Sequence, residues 1–151
     1  MKNFNSSEEI LDYAISREQD AYDFYMKWSK EMKNPAMGQF FVELAEEEGR
    51  HKAKLEEVKA GKNMVHADAK VQNLNIAEFT AEVHVDDDLD YQSALILAMK
   101  REKAAFKLYN FLADVAEDEG MKTLFKGLAQ EEAKHKLRLE VEYDDNILTE
   151  N

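Results

Sequence analysis

Two stretches of the chain carry residue types that metal chemistry needs. In Leu44-Ala45-Glu46-Glu47-Glu48-Gly49-Arg50-His51, the carboxylate of Glu48 and the imidazole of His51 stand three residues apart. Leu128-Ala129-Gln130-Glu131-Glu132-Ala133-Lys134-His135 repeats the pattern at an offset of 84, with Glu132 and His135 in the same places. On a helix this spacing puts both side chains on one face a turn apart, where they reach a common ion or adjacent ions. A further carboxylate precedes each copy by the same interval of 30 residues, Glu18 before Glu48 and Glu102 before Glu132.

All four Glu fall inside apolar stripes, which poses an energetic problem, because even one unpaired buried carboxylate costs several kcal/mol after relaxation. No Lys or Arg occupies the inferred central seam. Two divalent cations would bring +4 against the −4 of Glu18, Glu48, Glu102 and Glu132, and neutral His51 and His135 would add one nitrogen ligand per metal. A thiol-free, carboxylate-rich site with one imidazole per metal suits iron(II) or manganese(II), and zinc can occupy such a site in vitro.

The elements that must position these residues follow from the same pattern. Ser6 with Glu9 resembles a capping box, and no Gly or Pro follows until Pro35, so helix 1 is expected from about Ser7 to Lys33. Its stripe runs through Leu11, Ala14, Glu18, Ala21, Tyr25 and Trp28. Pro35 opens helix 2 and Gly61 stops it, with Met37, Phe41, Leu44, Glu48, His51, Leu55 and Val58 as its seam. Helix 3 is expected from near the N-cap Asp90 to about Asp118. Helix 4 follows a turn around Gly120 and runs to about Glu142, with a frayed acidic tail from Tyr143 to Asn151.

The 84-residue shift also aligns Ala14 with Ala98, Arg17 with Arg101, Ala21 with Ala105, Tyr25 with Tyr109, Phe41 with Phe125 and Leu55 with Leu139. The chain therefore reads as two copies of one helical hairpin, about 7–60 and 90–142, joined by a 61–89 crossover within a single domain. The crossover lacks clear periodicity, leaves room for a short helix near Ala77 to Val83, and holds His66 and His84, which read as surface or loop histidines. A connection this long can traverse a whole helix. The expected class is all-α.

Composition removes several alternatives. A formal charge of −12 and a pI near 4.8 disfavour nucleic acid and anionic membranes as partners. With no Cys, disulfide frameworks, iron–sulfur clusters and thiol catalysis are excluded. The N-terminus has no signal-like apolar run and no segment is long enough to span a bilayer, so a soluble cytoplasmic protein is expected.

The pairing of Glu-x-x-Ala-x-x-x-Tyr (Glu18, Ala21, Tyr25; Glu102, Ala105, Tyr109) with Phe-x-x-Leu-Ala-x-x-Glu-x-x-His (Phe41 to His51; Phe125 to His135) resembles the four-helix domain of rubrerythrin, within the ferritin-like di-iron carboxylate superfamily. The resemblance covers roughly residues 7 to 142. It implies a ferritin-like four-helix bundle and two iron ions, with Glu48 and Glu132 bridging, Glu18 and Glu102 terminal, and His51 and His135 each completing one metal. It also implies reduction of hydrogen peroxide or dioxygen in oxidative-stress defence. The Cys-ligated rubredoxin domain usual in the family is absent from this sequence, so an external electron donor such as a rubredoxin is expected. Family members with a peroxide-driven iron shift carry an extra Glu where this chain has Ala105, so that shift is not carried over.

Tyr25 and Tyr109 fit two readings, hydrogen bonding to a ligand carboxylate or packing as core aromatics. Glu47 and Glu131 sit about 100° round the helix from the ligands and read as a solvated face. Two other functions stay open: ferroxidase activity feeding an iron store, and a non-enzymatic metal-binding bundle. A homodimer is expected, and the crossover is long enough for a domain-swapped one as well as for a self-contained bundle.

Overall fold

The apolar stripes fold as four antiparallel-paired helices. A computed structural model describes residues 7–61 and 90–148. Helix α1 spans Ser7–Glu31 and α2 Pro35–Ala60; α3 spans Tyr91–Val115 and α4 Glu119–Tyr143. The expected Ser6 cap, the crossover with its short helix, His66 and His84 lie outside the described residues. The described residues form an all-α bundle of two hairpins, α1 with α2 and α3 with α4, which approach each other most closely along α1 and α3.

Local chemistry sets the helix ends. Asn34 caps α2 by accepting from the Ala36 amide at 2.8 Å, and Pro35 takes the first position, where its missing N–H costs nothing. Asp90 caps α3 through the Ser93 amide at 2.8 Å, as the sequence suggests. At the next junction the structure differs from expectation. Asp118 is not the end of α3 but the N-cap of α4, accepting from the Met121 amide at 3.1 Å. That role needs an extended backbone, so α3 stops at Val115 and Gly120 lies inside the first turn of α4. The tail is not frayed as far as it is described: a π-helical turn continues over Asp144–Leu148. Asn146 donates to the Glu142 carbonyl at 3.0 Å, while Tyr91 donates to the Glu142 carboxylate.

Close packing within the first hairpin depends on Gly38. A Cβ there would lie 2.9 Å from the Ser29 carbonyl oxygen, closer than a side chain permits. The interior divides into two apolar clusters. One gathers Leu11, Leu55, Leu108, Leu112, Phe125 and Leu128; the other gathers Trp28, Phe41, Leu44, Leu95 and Leu139. Each fully buried Leu or Phe contributes about 1.5–3 kcal/mol from leaving water, and between the clusters lies a layer of charge.

Candidate metal centre

Each helix delivers side chains to that layer in the turn where its stripe turns polar. Glu18 comes from α1, Glu48 and His51 from α2, Glu102 from α3, Glu132 and His135 from α4. All six are at most 4% exposed, and they are the buried polar or charged residues among those described. The structure thus brings together every one of the six residues singled out by spacing.

Their arrangement includes two overlapping four-residue groups of potential ligands, besides a smaller one of Glu48, His51 and His135. Glu18, Glu48, His51 and Glu132 form one, and Glu48, Glu102, Glu132 and His135 the other, with ligand atoms in each within 4.8 Å of one another. Glu48 and Glu132 belong to both. His51 Nδ1 lies 2.8 Å from Glu132 Oε1, and His135 Nδ1 lies 3.0 Å from Glu48 Oε1, so each imidazole faces the shared carboxylate of the opposite hairpin. The other two carboxylates stand slightly farther off, Glu18 at 3.6 Å from His51 and Glu102 at 3.5 Å from His135. The two imidazole rings stack at 5.6 Å, 9° from parallel.

The tyrosines cross between hairpins. Tyr25 of α1 donates to Glu102 Oε1 of α3 at 2.6 Å, and Tyr109 of α3 donates to Glu18 Oε1 of α1. Each ring is backed by the Phe of its own hairpin, Tyr25 on Phe41 at 5.9 Å and Tyr109 on Phe125 at 6.3 Å. A phenol tied to one oxygen of a terminal carboxylate leaves the other oxygen to face the centre.

That remaining set of atoms tests whether a metal pair fits. Glu18 Oε2, Glu48 Oε1, Glu102 Oε2, both Glu132 oxygens and Nδ1 of both histidines are buried with no well-formed hydrogen bond, and what they meet at close range is one another. Leaving such atoms unsatisfied is costly, and cations at the centre of each group would satisfy them together. The donor set of hard oxygens with one nitrogen per group fits iron(II) or manganese(II).

The electrostatics of the protein alone show the strain of the arrangement. Burial, reinforced by the charges of Glu102 and Glu18, pushes Glu48 well above the usual carboxylate range. Burial with the neighbouring Glu102, Glu48 and Glu18 does the same to Glu132. Burial would also raise Glu102, but contacts with Glu132, His135 and Tyr25 hold it below its ordinary value. Burial would lower His135, yet the carboxylates of Glu102 and Glu48 push it up to about 11. Four carboxylates in one dry layer cannot all ionise unless something positive stands among them.

Glu47 departs from the solvated-face reading. Its Oε2 lies against His135 Nε2, the imidazole nitrogen facing away from the layer, and Arg138 Nη1 stands 3.8 Å from the same oxygen. A signal for this existed in the sequence, since Glu47 is adjacent to Glu48 and repeats as Glu131, but nothing along α2 alone placed it beside a histidine of α4.

Comparisons with known proteins agree with this geometry. The sequence model of the Rubrerythrin family matches residues 9–143. A crystal structure from Thermotoga maritima, described as a ferritin-like diiron-carboxylate protein, superposes with a TM-score of 0.74 at 22% identity, covering 97% of this chain and 99% of the other. A Pyrococcus furiosus protein described as hypothetical superposes with a TM-score of 0.69 at 28% identity, covering 92% of this chain and 89% of the other. No curated protein sequence matches the chain. Among the described residues, no helix is long and apolar enough to cross a membrane.

Proposed function

The chain belongs to the rubrerythrin family, with its ferritin-like four-helix fold, and from that premise we propose that it is a di-iron oxidoreductase reducing hydrogen peroxide or dioxygen. The observation that carries this reading is the pair of four-residue groups sharing Glu48 and Glu132, a ligand set for two ions rather than one. When bound, two ferrous ions would supply the two electrons that, with two protons, convert hydrogen peroxide to two waters. Glu18 with His51 would hold one ion and Glu102 with His135 the other, the shared carboxylates spanning both.

The remaining residues do the work of support. Tyr25 and Tyr109 hold the carboxylates of Glu102 and Glu18 in place by hydrogen bonds that cross between the hairpins. The apolar clusters on either side exclude water and lower the local dielectric, which strengthens every charge interaction inside. Electrons for re-reduction would come from a one-electron carrier of the rubredoxin class.

Anaerobic loading with ferrous iron followed by one equivalent of hydrogen peroxide tests the proposal. Near-ultraviolet ferric absorption should rise to the value for two irons oxidised per peroxide. Loading that stops short of two irons per chain, or irons left ferrous by peroxide, would refute it.

A further inference from the structure

The two hairpins carry opposite charge outside the buried layer. Leaving out the layer's own Glu, α3 and α4 hold nine Lys or Arg against five Asp or Glu, whereas α1 and α2 hold seven against eleven. The exposed large apolar side chains divide the same way. Among the described residues they are Ile96, Phe106, Leu137 and Val141, all on α3 and α4. Helical spacing sets Ile96 in line with Lys100, Lys103 and Lys107 along α3, so the apolar residues stand among lysines.

Between α3 and α4 runs a groove of about 320 Å³, lined by Lys103, Phe106, Ala133, Lys136, Leu137 and Glu140. The matching place on the first hairpin is closed. There Lys52 donates to Gln19 at 2.7 Å, tying α2 to α1, and the Tyr22 ring lies against Gly49. In the second copy the counterpart of Gln19 is Lys103, and two ammonium groups cannot make that bond, so Lys136 turns along its own helix to Glu140. Phe106, in the place of Tyr22, is left 37% exposed, and Leu137, in the place of Ala53, 60%.

The groove stands directly behind the charge layer. Lys103, Ala133 and Lys136 each follow a residue of that layer, Glu102, Glu132 and His135. One helix width, about 10 Å, separates the two. The only polar groups in the lining are long, flexible charged side chains, which do not fix the orientation of a small molecule. An apolar centre ringed by charge instead has the anatomy of a protein interface. The sign of the charge selects the partner. A second copy facing this surface symmetrically would set lysines against lysines, whereas an acidic protein would be steered to it and away from the first hairpin.

We propose that the outer face of α3 and α4 is the docking surface for an acidic one-electron carrier protein, with Phe106 and Leu137 at the contact centre and Lys100, Lys103 and Lys136 at its rim. This docking rests on the dinuclear site proposed above and gives its electron donor a place and a charge. Each docked carrier gives up one electron, its own iron passing from ferrous to ferric, so two dockings return two ferric ions of the site to ferrous.

Zinc-substituted rubredoxin of negative net charge is the redox-inert probe. Its amide chemical shifts, followed by NMR as the protein is added as purified, give Kd without turnover. An exposed ion pair contributes up to about 1 kcal/mol, a factor of about five, so Lys103→Gln and Lys136→Gln should each raise Kd severalfold and the double variant more than about tenfold. Leu137→Ala should also raise it, with the salt dependence unchanged, and wild-type Kd should rise with ionic strength. Lys52→Gln, at the matching place on the first hairpin, should leave Kd within about twofold. The rate at which ferrous rubredoxin reduces the diferric protein should fall in the same order, while reduction by dithionite keeps its wild-type rate.

A double Gln variant that folds, holds its iron and binds the probe as wild type does overturns the docking surface and leaves the dinuclear site intact. An equal loss in Lys52→Gln also overturns it, since net charge alone would then be acting. So does a wild-type dimer that Leu137→Asp breaks, because a second copy would then occupy the face. Probe binding that responds as expected in a protein unable to hold two irons keeps the docking surface and refutes the dinuclear site.

Discussion

The two hairpins are near copies on their inner faces and differ on their outer ones. Inside, each supplies a carboxylate that belongs to both groups, a carboxylate that belongs to one, an inward imidazole, and a tyrosine that crosses to the other hairpin. Outside, His135 Nε2 meets Glu47, and Glu47 is flanked by Arg138, which stands 4.0 Å from Glu43 and lies over the Phe40 ring at 5.3 Å. In the other half these places are taken by Glu131, Lys54, Gly127 and Leu124, and Glu131 pairs with Lys134 at 3.3 Å instead. The two histidines differ accordingly, His51 being 4% exposed and His135 1%. The inner face answers to a charge balance that constrains both copies equally. The outer face answers only to how firmly each imidazole is held, and there the copies have diverged. The difference teaches that a pseudo-symmetric ligand set need not give two equivalent metal sites.

The largest effect should come from the shared carboxylates and should be the same in both halves. Glu48→Ala and Glu132→Ala should each reduce metal content below two ions per chain, measured by elemental analysis after loading. Two ions retained in either variant would break the inner symmetry and the proposed ligand assignment together.

The outer asymmetry gives a smaller, one-sided effect. Glu47→Ala should weaken one of the two binding steps by about 10- to 100-fold, the range for losing a partner that orients a ligand imidazole. Glu131→Ala should leave both steps within about twofold of wild type, because Glu131 pairs with Lys134 on the surface. Stepwise manganese(II) titration by calorimetry reads both. Equal losses in the two variants would erase the distinction between the hairpins.

The smallest effect concerns pH in the metal-free protein. Glu48 and Glu132 have folded pKa values well above 4.5, and His135 has one of about 11 against 6.5 unfolded, so the folded state binds more protons than the unfolded one. Raised folded pKa values give stability that is fully present below the unfolded values and lost as pH rises through the folded ones. The metal-free protein should therefore have a higher urea midpoint at pH 5.5 than at pH 8.5. The loaded protein should show the reverse, since protons compete with metal for the same atoms. Glu48→Gln and Glu132→Gln should flatten the metal-free slope to similar extents, one carboxylate coming from each hairpin. A slope that responds to only one of them would show that the halves differ inside as well as outside.

Much of this was legible along the chain. The cap at Asp90 was readable because a capping side chain acts on amides two or three residues away, whereas that of Asn34 was passed over for the proline beside it. The six site residues were readable because helical periodicity put Glu and His where a core residue belongs, twice over. The junction at Asp118 was misread because a Gly two residues on suggested a turn, whereas the aspartate's bond to Met121 starts the helix before it. Glu47 was misread because periodicity reports only which side of its own helix a residue occupies.

By itself, the sequence determined the fold class, the doubled hairpin, and the identity and spacing of the charged layer. Each of these follows from local geometry: 3.6 residues per turn decides which side chains share a face, and four Glu on apolar faces demand a common counter-charge. Only the tertiary structure decided which carboxylate each tyrosine reaches, and that Glu47 backs His135 while Glu131 turns to Lys134. Those contacts depend on the distance and rotation of one helix against another, and the packing of the whole bundle sets both quantities.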